Sequence, residues 1–312
     1  MSVLEQAAEI PGRQPEGTGK AAGEAAVFIE YYTDPLCSWS WAFEAQWRRL
    51  RYECAGHLVW SYHMGGLIAD WQSYDDPFND IRGPAQMGPQ WFQVRKVSRM
   101  PLDEHIWQAD PPASSYPACI AVKAAQYQGQ TVADAYLRRL REAAMMESRN
   151  IARREILLAV ARQSASGPAG DSLLDLARFR ADLDSPATME AFRQDLREVA
   201  YQGIGRFPTL VLRRRDGRGI VLVGYRPYDA LCAALEHLMP GLRRSPQLSG
   251  EDLAVNYVTY WHRITARELA ELSGSQIDQA SALLESLVTC GKLRRAADSQ
   301  SDTPVYTPAP ER

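Results

Sequence analysis

The tightest constraint on this chain's fold is one short order of events between residues 26 and 63. Residues 26–32, AVFIEYY, form an apolar and aromatic run of strand type. Thr33, Asp34 and Pro35 break that run. Cys37 comes next, in the first turn of a helix predicted from Ser38 to about Tyr52, with Trp41 and Leu50 on its buried side. His57 to His63, HLVWSYH, then alternates like a second strand. Strand, cysteine-bearing turn, helix and strand in this order predict an α/β layer with the cysteine at its rim.

The rest of the chain fills in around that unit. Its 312 residues suggest about two domains. A composition of 46% hydrophobic and 23% charged residues excludes fibrous, low-complexity and mainly disordered classes. Residues 1–25 lack an apolar core and are expected to be a flexible tail, not a secretory signal. Residues 65–115 read as irregular, punctuated by Gly and Pro and pinned by Trp71, Trp91, Phe92 and Trp107. Helices are predicted at about 117–127, 131–145, 150–164 and 186–200, with Gly167, Pro168 and Gly170 after the third. Thr209–Leu212 and Ile220–Val223 form a hairpin around Asp216-Gly217, with Arg213–Arg215 as a solvated end. A helix at 228–239 and a linker at 241–248 follow. Helices at 250–261, 265–273 and 275–290, then the extended pieces KLRRA and PVYTP, give residues 249–308 a winged-helix pattern.

The chemistry centres on YYTDPLCSWSWAF, residues 31–43. Unpaired backbone N–H groups and the helix dipole at a helix start favour a thiolate at Cys37. Ser40 lies one turn on, where its hydroxyl is expected to reach the Cys37 sulfur. The other cysteines are Cys54, Cys119, Cys232 and Cys290, and no C-x-x-C pair exists. The spacing gives no zinc ribbon and no disulfide scaffold, and the histidines give no metal site. Cys232 and Cys290 read as small core residues. With no export signal, the expected compartment is the reducing cytoplasm. No stretch approaches the roughly 18 apolar residues of a membrane span, so no membrane partner is expected.

These pieces, in this order, resemble the DsbA family, a thioredoxin fold interrupted by a helical domain. The resemblance rests on the strand AVFIEYYTDP, on C-S-W-S at 37–40, on the Ala118-Cys119 helix entry and on G-I-G-R-F-P-T-L-V-L at 203–212. It is nearest to FrnE-like members and to YjbH/SpxH-type protease adaptors, which carry a C-terminal winged-helix-like segment. It implies a DsbA-like domain over 26–240 with a helical insertion at about 65–200. It also implies a cis-proline at Pro208 facing Cys37, and a peptide groove flanked by Trp39, Trp41, Arg206, Phe207 and Thr209. Tyr225, Tyr228 and His63 are further candidates to face it. Two positions depart from the family. Ser40 stands where the second cysteine of the dithiol motif belongs, leaving Cys119 as a possible resolving thiol. Arg206-Phe207 stands where relatives carry Gly and a small aliphatic residue.

Three functions compete on these residues. The first is a monothiol oxidoreductase in which Cys37, with Ser40 and Pro208, forms mixed disulfides with a protein or with glutathione as co-substrate. No other cofactor is expected. The second is a non-catalytic adaptor for a protease or regulator. The third is a glutathione-dependent transferase or isomerase. DNA binding by the C-terminal segment is disfavoured. From residue 246 onward the chain has six basic against nine acidic residues, and SQIDQASALLESLVTCG, the helix that would read DNA, has no Lys or Arg.

Overall fold

The computed structural model describes residues 27–76, 79–165, 173–242, 244, 248–297, 299 and 301–310. The expected N-terminal tail, the Gly167–Gly170 break and much of the 241–248 linker lie outside the described residues. A four-stranded sheet holds the first part of the chain, in the order β2 (Leu58–Met64), β1 (Val27–Thr33), β3 (Thr209–Arg213), β4 (Gly219–Val223). β1 runs parallel to β2 and antiparallel to β3, with Tyr31 facing Tyr62 on one side and Leu210 on the other. β1 reads as a continuous apolar run because helices cover both of its faces, and Val27, Ile29, Tyr31 and Tyr32 are all buried. β3 and β4 form the expected hairpin. Gly217, at φ 87°, supplies the left-handed turn residue that a side chain would disfavour.

The predicted helix after Cys37 is in fact two helices, α1 (Ser38–Ala42) and α2 (Glu44–Glu53), broken at Phe43. Almost every side chain from Leu36 to Leu50 is buried, including Trp41, Phe43 and Trp47. A straight amphipathic helix buries one stripe. The break lets apolar groups on several sides reach the core, and Phe43 and Trp47 both meet the Tyr31 ring edge-on.

The helical insertion comprises α3 (Met87–Ser98), α4 (Ile106–Ala109), α5 (Tyr116–Gln126), α6 (Gln130–Met145), α7 (Arg154–Ala165), α8 (Leu176–Leu183) and α9 (Pro186–Tyr201). Residues 65–115 are thus less irregular than expected, since they hold α3 and α4. Phe92 is 38% exposed and not core, whereas Trp91 and Trp107 are buried. α10 (Tyr228–Leu238) closes the domain against α2. Arg213 is not part of a solvated end: it is buried and paired with Glu30 at 3.1 Å.

The C-terminal segment contains α11 (Gly250–Trp261), α12 (Ala266–Ser273), α13 (Ile277–Thr289) and a two-stranded antiparallel sheet of β5 (Leu293–Arg295) and β6 (Tyr306–Pro308). Its apolar core, including Tyr257, Leu269, Leu284 and Tyr306, takes in Tyr52 from α2. The Tyr52 ring meets Tyr257 edge-on at 5.0 Å, and its hydroxyl donates to Asn256 at 2.6 Å. Cys290 is exposed at the end of α13 and Cys232 is half-buried, so neither is a fully packed core residue.

A buried ion cluster fastens this segment to the first domain. The fully buried Glu268 caps α12, accepting from the Thr265 backbone N–H at 2.7 Å. The same carboxylate accepts from Arg48 of α2 at 2.5 Å and from both terminal nitrogens of Arg138 of α6 at 2.8 and 2.9 Å. Arg48 also donates to the Arg263 and Trp261 carbonyls, at 2.7 and 3.2 Å. Burial by itself would raise the Glu268 carboxyl, but Arg138 and Arg48 reverse that and hold it below its usual range. A depressed carboxylate stabilises the fold above its unfolded pKa of about 4.3 and loses that contribution as pH falls toward its folded value. Docking of the C-terminal segment is therefore expected to weaken below about pH 4. Hydrogen exchange across α11 and α12 between pH 7 and pH 3.5 checks this, and uniform protection over that range contradicts it.

Candidate functional site

Asp34 sets the site's frame. Its carboxylate is fully buried in the turn after β1. It accepts from the Leu36 N–H at 2.8 Å, the Leu67 N–H at 2.7 Å and the Ser115 hydroxyl at 2.8 Å. One side chain thus joins the cysteine turn, the loop after β2 and the entry to α5. Burial pushes the Asp34 carboxyl up, and these donors partly offset it.

On this frame Cys37 is the N-cap of α1, just ahead of its first turn. Its sulfur accepts the Ser40 backbone N–H at 3.4 Å. The Ser40 hydroxyl is close and favours the thiolate, yet it is not oriented for a hydrogen bond. The contact expected from that hydroxyl thus comes from the backbone. Cys37 is 5% exposed, and its thiol donates to the Phe207 carbonyl at 3.6 Å. Burial pushes the Cys37 thiol up; the two Ser40 groups and Arg141 pull it down, and Asp34 adds to the rise. Burial is the largest of these effects and pushes the thiol up, against the pull of the helix start.

Phe207-Pro208 is a cis peptide bond beside Cys37. The Phe207 ring is held by Gly65, the first residue after β2. A methyl at Gly65 would lie 2.0 Å from the ring's outermost carbon, so only glycine lets the ring come this near. Phe207 is thus fixed at both ends, its ring on Gly65 and its carbonyl on Cys37. A groove of about 1060 Å³ opens here, lined by Cys37, Trp39, Gly65, Phe207, Tyr225 and Val97 among others.

The expected groove residues separate clearly. Trp39, Arg206 and Phe207 line it, and Trp39 packs on Tyr225 with ring centroids 5.6 Å apart. Trp41 does not: it is fully buried and donates to the Pro101 carbonyl at 2.7 Å. Residues two apart on a helix point about 200° apart, so Trp39 and Trp41 cannot share one wall. Thr209 is also buried, and its hydroxyl closes the turn by donating to Arg206 O at 2.7 Å. Cys119 is fully buried and donates to Asp34 at 3.2 Å; burial and Asp34 push its thiol well up. It does not line the groove. Tyr225 faces the groove, whereas Tyr228 is bound to Glu53 at 2.7 Å and His63 lies 3.5 Å from Asp195. Among the described residues no three His, Cys, Asp or Glu side chains converge to hold a metal ion, and no helix is long and apolar enough to cross a membrane.

Residues 31–233 match the family profile described as thioredoxin. The chain belongs to the thioredoxin family. Its fold is DsbA-like, and its sequence is similar to that of SpxH proteins. The protein named ClpXP adapter protein SpxH from Halalkalibacterium halodurans is 28% identical over 85% of this chain and 84% of that protein. SpxH of Bacillus subtilis, with the same name, is 22% identical over 86% of this chain and 85% of its own. The cytosolic disulfide reductase DsbM of Pseudomonas aeruginosa superposes with a TM-score of 0.53 at 23% identity, over 68% of this chain and 98% of DsbM. A protein described as a DsbA oxidoreductase from Streptomyces coelicolor gives 0.52 at 16% identity, over 72% of this chain and 93% of its own. These two likenesses show the thioredoxin fold with its helical insertion.

Proposed function

We propose that this chain is a protein-binding adaptor that delivers a client to a ClpXP-type protease, using the groove beside Cys37 as a binding surface and not as a redox centre. One observation carries the reading. Cys37 is a buried, raised thiol that donates to Phe207, and Ser40 stands where a resolving thiol would be. A nucleophile must be a thiolate, and a dithiol oxidant must expel its adduct. Neither condition is favoured here. The adaptor name of relatives that align along most of this chain supports the same reading. The expected setting is the reducing cytoplasm.

The test is reconstitution. A client captured under reducing conditions should be degraded by ClpXP faster with the chain than without it, and Cys37→Ala should preserve that gain. Loss of the gain in Cys37→Ala, with the fold intact, sinks the reading.

A second reading keeps monothiol exchange with glutathione or a protein thiol. It draws on the Ser40 N–H at 3.4 Å from the sulfur and on Arg141, both of which favour the thiolate. It predicts one glutathione adduct on Cys37 after mild treatment with oxidised glutathione.

A further inference from the structure

We propose that the outer face of α3 is a docking ridge for an acidic, apolar segment of a partner protein. This rests on the adaptor reading, because the ridge continues the same groove outward. α3 buries Met87, Trp91, Val94 and Ser98. Its opposite side leaves Phe92 38% and Val97 60% exposed, and Val97 also lines the groove. Residues 87–100, MGPQWFQVRKVSRM, contain three basic residues and no acidic one, in a chain of net charge −3. Arg95 is paired with Glu104 at 3.1 Å. Among the described residues neither Lys96 nor Arg99 has an ion-pair partner. Arg95 and Lys96 lie 5.2 and 5.1 Å from the Phe92 ring centre.

Exposed apolar side chains beside two cations with no ion-pair partner among the described residues fit a partner of opposite charge with matching apolar bulk. Phe92 and Lys96 are four residues apart, and Lys96 and Arg99 three apart. Phe92 and Lys96 therefore share one line along the helix, and Arg99 follows at its left-handed C-cap. The occupant would set aromatic or branched aliphatic side chains on Phe92 and Val97, and carboxylates on Lys96 and Arg99. A basic segment would meet like charges along the same line.

The probe is a short fluorescent peptide alternating Glu with Leu and Phe, compared with its Lys-for-Glu counterpart, titrated with the full chain by anisotropy. The acidic peptide should bind at least about tenfold more tightly and weaken between about 50 and 200 mM salt. The Lys96→Glu/Arg99→Glu variant should lose about tenfold or more for the acidic peptide, while its thermal unfolding stays as in the wild type. Val97→Glu should also weaken it. Equal binding of the two peptides, or an unaltered affinity in the double variant, overturns the ridge. A dimer of this chain that the double variant abolishes overturns it too, by making a second copy the occupant. A ridge that passes with no gain in ClpXP degradation removes the adaptor reading alone. A gain in degradation that the double variant leaves unchanged, together with equal peptide binding, removes the ridge alone.

Discussion

Glu268→Gln is expected to destabilise docking of the C-terminal segment by about 3–5 kcal/mol, the usual cost of removing one partner from a buried ion pair. The variant leaves Arg48 and Arg138, both nearly inaccessible, facing each other without the carboxylate between them. It also weakens the α12 cap, because Glu268 accepts from the Thr265 N–H. The loss should appear as an early unfolding step in denaturant, since the chain has two apolar cores and one can open before the other. Glu251→Gln is the control. It removes the partner of Lys292 in a pair whose side chains are both more than half exposed, and such pairs add little. A single transition at the wild-type midpoint in Glu268→Gln would show that the cluster is not what fastens the segment.

The second large effect concerns the Phe207 ring, which lines the groove beside Cys37. Phe207→Ala removes the ring that rests on Gly65, and Gly65→Ala should push the same ring away without altering Cys37 or Phe207. Both variants should open the wall beside the sulfur. Cys37, 5% exposed in the native protein, should then react with a disulfide reagent at least about tenfold faster. The two substitutions act from opposite sides, so agreement between them separates displacement of the ring from general loosening. Unchanged Cys37 labelling in both variants, followed by peptide mapping, would mean that the ring does not limit access.

What the sequence made legible was local. The β1 run, the cysteine after a proline turn, the β3–β4 hairpin and Phe207-Pro208 are all carried by a few adjacent residues, and each was in place. What it hid depends on partners far away in the chain. Asp34 looks like a turn residue, yet it joins Leu67, Ser115 and Cys119. Gly65 looks like punctuation until the Phe207 ring is seen against it. The resemblance implies a groove that includes Trp41 and Thr209, but side-chain direction puts both in the core. The Arg48–Glu268–Arg138 cluster draws on three helices, and no single helix reveals it as more than ordinary surface charge. α3 was hidden by flanking glycines and prolines, and with it the far wall of the groove.

The most direct test of the central claim is the pH dependence of Cys37 alkylation by iodoacetamide in the folded chain, quantified on the Cys37 peptide so that exposed Cys290 does not contribute. A buried thiol held by the Phe207 carbonyl should react slowly at neutral pH, and its rate should still be climbing above the ordinary thiol pKa of about 8.5. A fast rate that levels off below about pH 7 would mean a stabilised thiolate, and would return the site to redox chemistry.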